Sequence, residues 1–255
     1  MASRPVILLI PGSFSIAAMY YPLQDILVAQ GHEVYVNNLP SASRNAPEPP
    51  ASLRDDTQFF SNIIGKIADQ GKDVIVLGHS YGGLVASESA KGHSKVERCA
   101  RGQKGGITRI VFLAAIVLQE GQSLVGHQGK PPPSIVKTDE NGFMRLADPA
   151  LSGSHMYDDW PEERALAWAR AAPKHSALSF ASVVTYTAFK DIPSSYIFCE
   201  QDKVVPPALQ AQYIENIKIV AGRDVDIHKL NSNHVPNLTA TEILAELILK
   251  IAATS

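Results

Sequence analysis

A serine, an aspartate and a histidine stand in this chain where they could carry out acyl transfer together. Ser80 lies in Gly78-His79-Ser80-Tyr81-Gly82, a G-x-S-x-G pattern. Four apolar residues, Val74 to Leu77, precede it, and Gly83, Leu84, Val85 and Ala86 follow in a segment that reads as helix. A serine on a sharp strand-to-helix turn is lifted out of the sheet with its hydroxyl exposed. That hydroxyl is a poor nucleophile until a base takes its proton, and the base needs a carboxylate to fix its tautomer.

The chain has eight histidines. His79 adjoins the serine, so its side chain points elsewhere and supports the turn. His32, His93, His127, His155 and His175 fall in surface-like or inserted segments, and His228 lies inside a strand pattern. His234 alone follows a late strand in a loop, before the terminal helix, and is the expected base. Asp202 lies just past the apolar run Ser195–Cys199 and is the expected acid, with Glu200 as its rival. Asp224 and Asp226 stand at or before the start of a strand, on the opposite edge. A negative charge growing on a carbonyl oxygen must meet fixed N–H donors. The backbone N–H of Tyr81 is one candidate. The second is that of Ser13, with Phe14 as the alternative, in the Pro11-Gly12-Ser13-Phe14 loop.

Alternating elements position these groups. Pro5–Ile10, Glu33–Val36, Val74–Leu77, Thr108–Ala115, Ser195–Cys199 and Val225–Leu230 read as strands. Helical patterns cover Ala17–Gln30, Leu53–Gln70, the stretch after Ser80 to about Ala90, Pro206 to about Ile219, and Thr239–Ala252. In the second of these, Phe59, Ile63, Ile64 and Ile67 share the helical spacing. This order predicts an α/β fold: a mostly parallel, doubly wound sheet with helices on both faces. The basic stretch Lys91–Gly106 reads as a solvated surface excursion. Residues 119–191 hold no obvious strand, and read as a helical lid inserted in a core made of 1–118 and 192–255. Phe14, Trp160 and Trp168 are the expected pocket walls, with Tyr81 also near the nucleophile.

These residues resemble the α/β-hydrolase superfamily over nearly the whole chain, and within it the compact branch of plant methyl esterases and hydroxynitrile lyases. The resemblance rests on Pro11-Gly12-Ser13-Phe14 with Tyr20, Tyr21 and Leu23, on Gly78 to Gly83, on Cys199-Glu200-Gln201-Asp202-Lys203 with Gln210, and on His234 before Pro236. Lys72–Gly83 and Ile192–Pro206 also look like fungal and bacterial hydrolases of this branch. The resemblance implies Ser80, Asp202 and His234 as the catalytic set, in the order Ser, Asp, His used by that fold. Two departures matter. Pro11 stands where the family often has histidine. The lyases carry a threonine by the oxyanion donor and a lysine after the catalytic histidine, where this chain has Gly12 and Val235. The missing lysine favours hydrolysis.

The expected function is therefore a serine hydrolase acting on a small, fairly apolar carboxylic ester, thioester or lactone, with no cofactor and no metal. A carbon–carbon hydrolase, lyase, dehydratase or cyclase step on the same triad, and a non-catalytic small-ligand receptor, are the competing readings. The bulk numbers narrow the field. The chain has 255 residues, 45% of them hydrophobic, with 23 Lys and Arg against 25 Asp and Glu. That balance gives no reason to expect a nucleic-acid partner. No stretch reaches the roughly 20 apolar residues of a membrane span. Two distant cysteines, Cys99 and Cys199, read as free thiols of a cytoplasmic protein. The pattern is silent on oligomeric state, a homodimer included.

Overall fold

Five uninterrupted apolar residues make strand β1 (Val6–Ile10), and their side chains divide between two cores. In a computed structural model, which describes residues 4–255, Val6, Leu8 and Ile10 join one buried cluster while Ile7 and Leu9 join the other. This is the alternation a strand imposes when both faces are covered. A 3-10 turn at Ala17–Tyr20 leads into α1 (Tyr21–Ala29), then β2 (Val34–Val36). Helices α2 (Pro40–Ser43) and α3 (Leu53–Asp69) precede β3 (Asp73–His79). Next come α4 (Gly82–Ser89), α5 (Lys95–Ala100) and β4 (Gly106–Leu113).

The segment between β4 and Asp191 contains α6 (Leu124–Gln128), β5 (Val136–Thr138), β6 (Phe143–Leu146), α7 (Pro149–Met156), α8 (Glu162–Arg170), β7 (His175–Ser176) and α9 (Ala177–Ala181). The chain closes with β8 (Ser194–Cys199), α10 (Pro207–Ala221), β9 (Asp226–Leu230), α11 (Pro236–Thr239) and α12 (Thr241–Ala252).

Six strands form one parallel sheet in the order β2-β1-β3-β4-β8-β9. Helices α3, α4 and α10 pack on one face, and α1 and α12 on the other. The chain runs outward from β1 to β2, then returns to β3 on the far side of β1. The carboxyl ends of β1 and β3 therefore flank a topological switch point, where open parallel sheets bind ligands. No helix among the described residues is long and apolar enough to cross a membrane.

Three details differ from the sequence expectation. The inserted segment is not purely helical: β5, β6 and β7 make a small antiparallel sheet. Strands of two to four residues carry too few side chains to show a period. Their signal is the Asn141-Gly142 turn, where the Asp139 carboxylate accepts from the N–H groups of Asn141 and Phe143. The buried face of α3 turns on Phe60, Ile64 and Ile67, with Phe59 38% exposed. Asp56 shares that buried face. A capping box between Ser52 and Asp55 fixes where α3 begins. The basic excursion holds a helix, α5, whose Arg98 is buried and bonded to Asp69 and to the Lys104 and Gly105 carbonyls.

Candidate active site

Ser80 sits where β3 gives way to α4, with φ +53°. That left-handed backbone costs a non-glycine residue about 1–2 kcal/mol, and three hydrogen bonds hold it. The Ser80 N–H donates to the Leu113 carbonyl at 3.1 Å, and its own carbonyl accepts from Gly83 and Ile116 at 3.0 Å each. The turn closes only with glycines around it. A β-carbon at Gly78 would lie 2.3 Å from the Gly82 carbonyl oxygen, and one at Gly82 would lie 2.5 Å from that of Ile10.

His234 reaches this serine from the loop after β9. Its Nε2 is 3.0 Å from Ser80 Oγ, and its Nδ1 is 2.7 Å from Asp202 Oδ2. A carboxylate can only accept from Nδ1–H, so Nε2 presents its lone pair to the serine hydroxyl. Asp202 follows β8, and its other oxygen accepts the N–H groups of Val204 and Val205 at 2.7 and 2.8 Å. Gln210, wholly buried on α10, pins this turn. Its amide bonds the Cys199 N–H, the Cys199 carbonyl and the Val205 carbonyl. Glu200 points elsewhere and pairs with Lys229 at 3.7 Å. Asp226 bonds His228 and Ser195 at the far end of the sheet.

The N–H groups of Ser13, Phe14 and Tyr81 have no acceptor among the described residues. Tyr81 is the N-cap of α4, so its N–H lies at the positive end of a helix. Phe14 holds φ +55°, which bends the loop after β1 back over the sheet edge. A buried line of hydrogen bonds ties that loop to His234. The Gly12 N–H donates to the Tyr20 hydroxyl at 3.0 Å. The hydroxyl lies 2.6 Å from His79 Nδ1, and His79 Nε2 lies 2.7 Å from the His234 carbonyl. A carbonyl only accepts, so His79 carries its proton on Nε2 and Tyr20 donates to Nδ1. Burial, reinforced by the nearby His234, pushes His79 down to about 3 and keeps it neutral. Burial also raises the Tyr20 hydroxyl far above its usual range, so it stays a donor.

A second buried cluster backs the other side of the turn. The Tyr81 hydroxyl donates to Asp56 Oδ2 at 2.8 Å, and Asp56 Oδ1 accepts the Ser41 N–H at 2.8 Å. Burial pushes the Asp56 carboxyl up to about 6 against the pull of those bonds. His175, from β7 of the inserted segment, is fully buried, and burial pushes it down to about 3. Its ring lies 5.4 Å from Phe14, 5.1 Å from Tyr81 and 5.2 Å from Phe180.

Above Ser80 and His234 lies a cavity of about 300 Å3. Phe14, Ile116, Leu124, Ile135, Met156, Phe180 and Val205 give it apolar walls, and Gln128, His155 and Lys203 are its longer polar side chains. Phe14 is where the sequence suggests. Trp160 and Trp168 are not among the walls. Trp160 stacks on buried Tyr157 at 5.4 Å, and Trp168 lies 5.6 Å from Trp160. Together they seal α7 and α8 onto the sheet face that carries α1 and α12. The Tyr81 side chain likewise turns toward Asp56 rather than into the cavity.

Sequence reasoning missed Asp56, His175 and Phe180, and met Tyr20 only through resemblance. Asp56 carried a signal: it precedes Phe60 and Ile64 at four-residue steps, a carboxyl in the apolar stripe of a helix. His175 and Phe180 carried none, since Phe14 and Tyr81, which both of them touch, lie far away in sequence.

The family model for the alpha/beta hydrolase family matches residues 7–247. The chain therefore belongs to the α/β-hydrolase family of enzymes. It is 30% identical over 250 residues to "Probable hydrolase R7" of Phoma sp. (strain ATCC 20986 / MF5453), covering 98% of this chain and 99% of that relative. It resembles polyneuridine aldehyde esterase of Rauvolfia serpentina, at 21% identity over 92% of this chain and 91% of the relative. A crystal structure of polyneuridine aldehyde esterase superposes with a TM-score of 0.76 at 19% identity, covering 98% of this chain and 100% of that one. A pyrethroid hydrolase from Sphingobium faniae JZ-2 has the same fold, with a TM-score of 0.74, 21% identity and 98% of each chain covered.

Proposed function

We propose that the protein is a serine hydrolase that cleaves a small, fairly apolar carboxylic ester through an acyl-enzyme on Ser80. The observation that carries this reading is the hydrogen-bonded line Ser80–His234–Asp202 beneath an apolar cavity. Ser80 Oγ attacks the ester carbonyl while His234 Nε2 takes its proton. Asp202 holds the imidazole in the needed tautomer and stabilises the imidazolium. The Ser13 and Tyr81 N–H groups receive the oxyanion. His234 then protonates the departing alcohol. In the second half, His234 removes a proton from water as its oxygen attacks the acyl carbon, then returns that proton to Ser80 Oγ as the acyl–oxygen bond breaks and the acid leaves. Residues 119–191 serve as the lid, a role supported by Leu124, Ile135, Met156 and Phe180 among the cavity walls. Two free thiols, Cys99 and Cys199, support a reducing, cytoplasmic setting.

The test is turnover of a short-chain aryl ester, with a fluorophosphonate as trap. Wild type should turn over the ester and gain one covalent adduct on Ser80. Ser80→Ala should lose both, with kcat lower by roughly four orders of magnitude or more. Equal rates in the two proteins would sink the proposal. Conversion of a substrate by a protein that never acylates would replace it with base chemistry on the same triad.

A further inference from the structure

The cavity over Ser80 adjoins a second space. A groove of about 1180 Å3 runs along the inserted segment, between the Pro131-Pro132-Pro133 stretch and α9. Pro131, Val136 and Phe180 line both spaces, so the cavity and the groove share a wall. The inner cavity alone is at the lower end of the 300–1,000 Å3 typical of small-molecule sites. It holds an ester with short flanks and little more.

The groove has the walls of a hydrocarbon site. Met144, Ala177, Leu178 and Val125 contribute to it, and its polar side chains, Lys130, Lys137 and Thr138, are all exposed. Such lysines can lay their stems along apolar surface and keep their heads in water. Leu178 is 49% exposed there. Exposed Pro132 and Pro133 extend that apolar surface, and an apolar patch rimmed by polar residues marks a binding site.

We propose that the groove is the distal subsite for an extended hydrocarbon group on the substrate whose ester is attacked at Ser80. Its occupant is the far end of the substrate molecule, passing Phe180 from the cavity. A chain too long for the cavity meets the groove next, because Pro131, Val136 and Phe180 border both spaces. This rests on the hydrolase reading above, and the experiment separates the two.

The experiment compares p-nitrophenyl acetate, decanoate and adamantane-1-carboxylate in wild type and Leu178→Asp. Leu178 touches the groove and not the inner cavity, and its exposure lets the variant fold, which circular dichroism checks. In wild type, decanoate should exceed acetate in kcat/KM at least tenfold. Leu178→Asp should erase that preference and leave acetate and the compact adamantyl ester within twofold. No preference in wild type, or a variant that changes all three esters alike or none, would overturn the subsite. A second arm needs no turnover: titration of Ser80→Ala with the neutral fluorescent probe dansyl dodecylamide. Saturable binding, weakened at least tenfold by adding Leu178→Asp, supports the subsite even if no ester is cleaved. Absence of binding, or binding indifferent to Leu178→Asp, overturns it.

Discussion

Tyr20→Phe removes one oxygen atom from the buried line between the Ser13 loop and the base, and keeps the ring. Tyr20 is 1% exposed and packs in the cluster with Leu23 and Leu27, so the loss of packing is small. What the variant loses is polar. The Gly12 N–H loses its acceptor at 3.0 Å, and His79 Nδ1 loses its donor at 2.6 Å. A buried group left unsatisfied costs about 1–3 kcal/mol. Two such groups give about 2–6 kcal/mol, a large part of the roughly 5–15 kcal/mol that holds a typical domain together. The catalytic effect follows from the same atoms. His79 keeps its bond to the His234 carbonyl, so the base stays placed, while the loop bearing the Ser13 N–H loses its anchor. One oxyanion donor is worth about 10²–10³ in kcat, so a loosened one should lower kcat by roughly tenfold to a hundredfold with KM little changed. Urea unfolding followed by tryptophan fluorescence gives the stability, and steady-state kinetics on a short aryl ester gives kcat and KM. Tyr21→Phe is the control, since Tyr21 is 49% exposed and should change neither. A Tyr20→Phe protein within 0.5 kcal/mol of wild type, with kcat within about twofold, would refute the reasoning.

The buried acid and the buried histidines should pull the pH profile of stability in opposite directions. Asp56 is raised to about 6 from an ordinary value of about 3.9, so between those limits the native state keeps a proton that the unfolded chain releases. Acidification through that window adds about 3 kcal/mol of stability. His79 and His175 are lowered to about 3, so below about pH 6.5 the unfolded chain binds protons that the native state refuses, and stability falls. Asp56→Asn removes only the first effect. Its stability should drop more steeply than that of wild type from pH 7 to pH 4, by about 3 kcal/mol; parallel urea midpoints across that range would contradict this. Trp168→Leu should cost about 1–3 kcal/mol of stability through lost contact with Trp160 and Tyr157. It should leave kcat/KM within about twofold, because Trp168 is no wall of the cavity. A large fall in kcat/KM at unchanged stability would place it at the substrate.

The parts of this molecule that can be read from sequence are those written in consecutive residues. Val74–Gly83 spells strand, turn and helix without a gap, and the structure follows it from β3 through Ser80 into α4. The alternation of long apolar runs with helical periods also suffices for the six-stranded parallel sheet. His234 and Asp202 were legible because the ends of consecutive parallel strands fall on one edge. The inserted segment resists such reading. Its strands are too short for a period, and nothing in Trp160 or Trp168 says which neighbour each will choose. Asp56 is an intermediate case, visible as an anomaly in α3 but with no hint that its partner would be Tyr81.

The packing of His175 and Phe180 bears on how this enzyme could change its substrate over time. Phe180 borders both the cavity and the groove, while the same two rings lean on Phe14 and Tyr81 beside the N–H groups proposed to receive the oxyanion. The inserted segment is thus not an interchangeable cassette. A segment grafted from a relative would bring new specificity and also withdraw the support behind the reaction centre, unless it carried its own equivalents of these two side chains. Variation at Leu124, Ile135 or Met156, which line the cavity and not the groove, leaves the ring cluster of Phe14, Tyr81, His175 and Phe180 in place. Divergence of substrate range should therefore accumulate at those positions, while residues 175–180 change slowly and together.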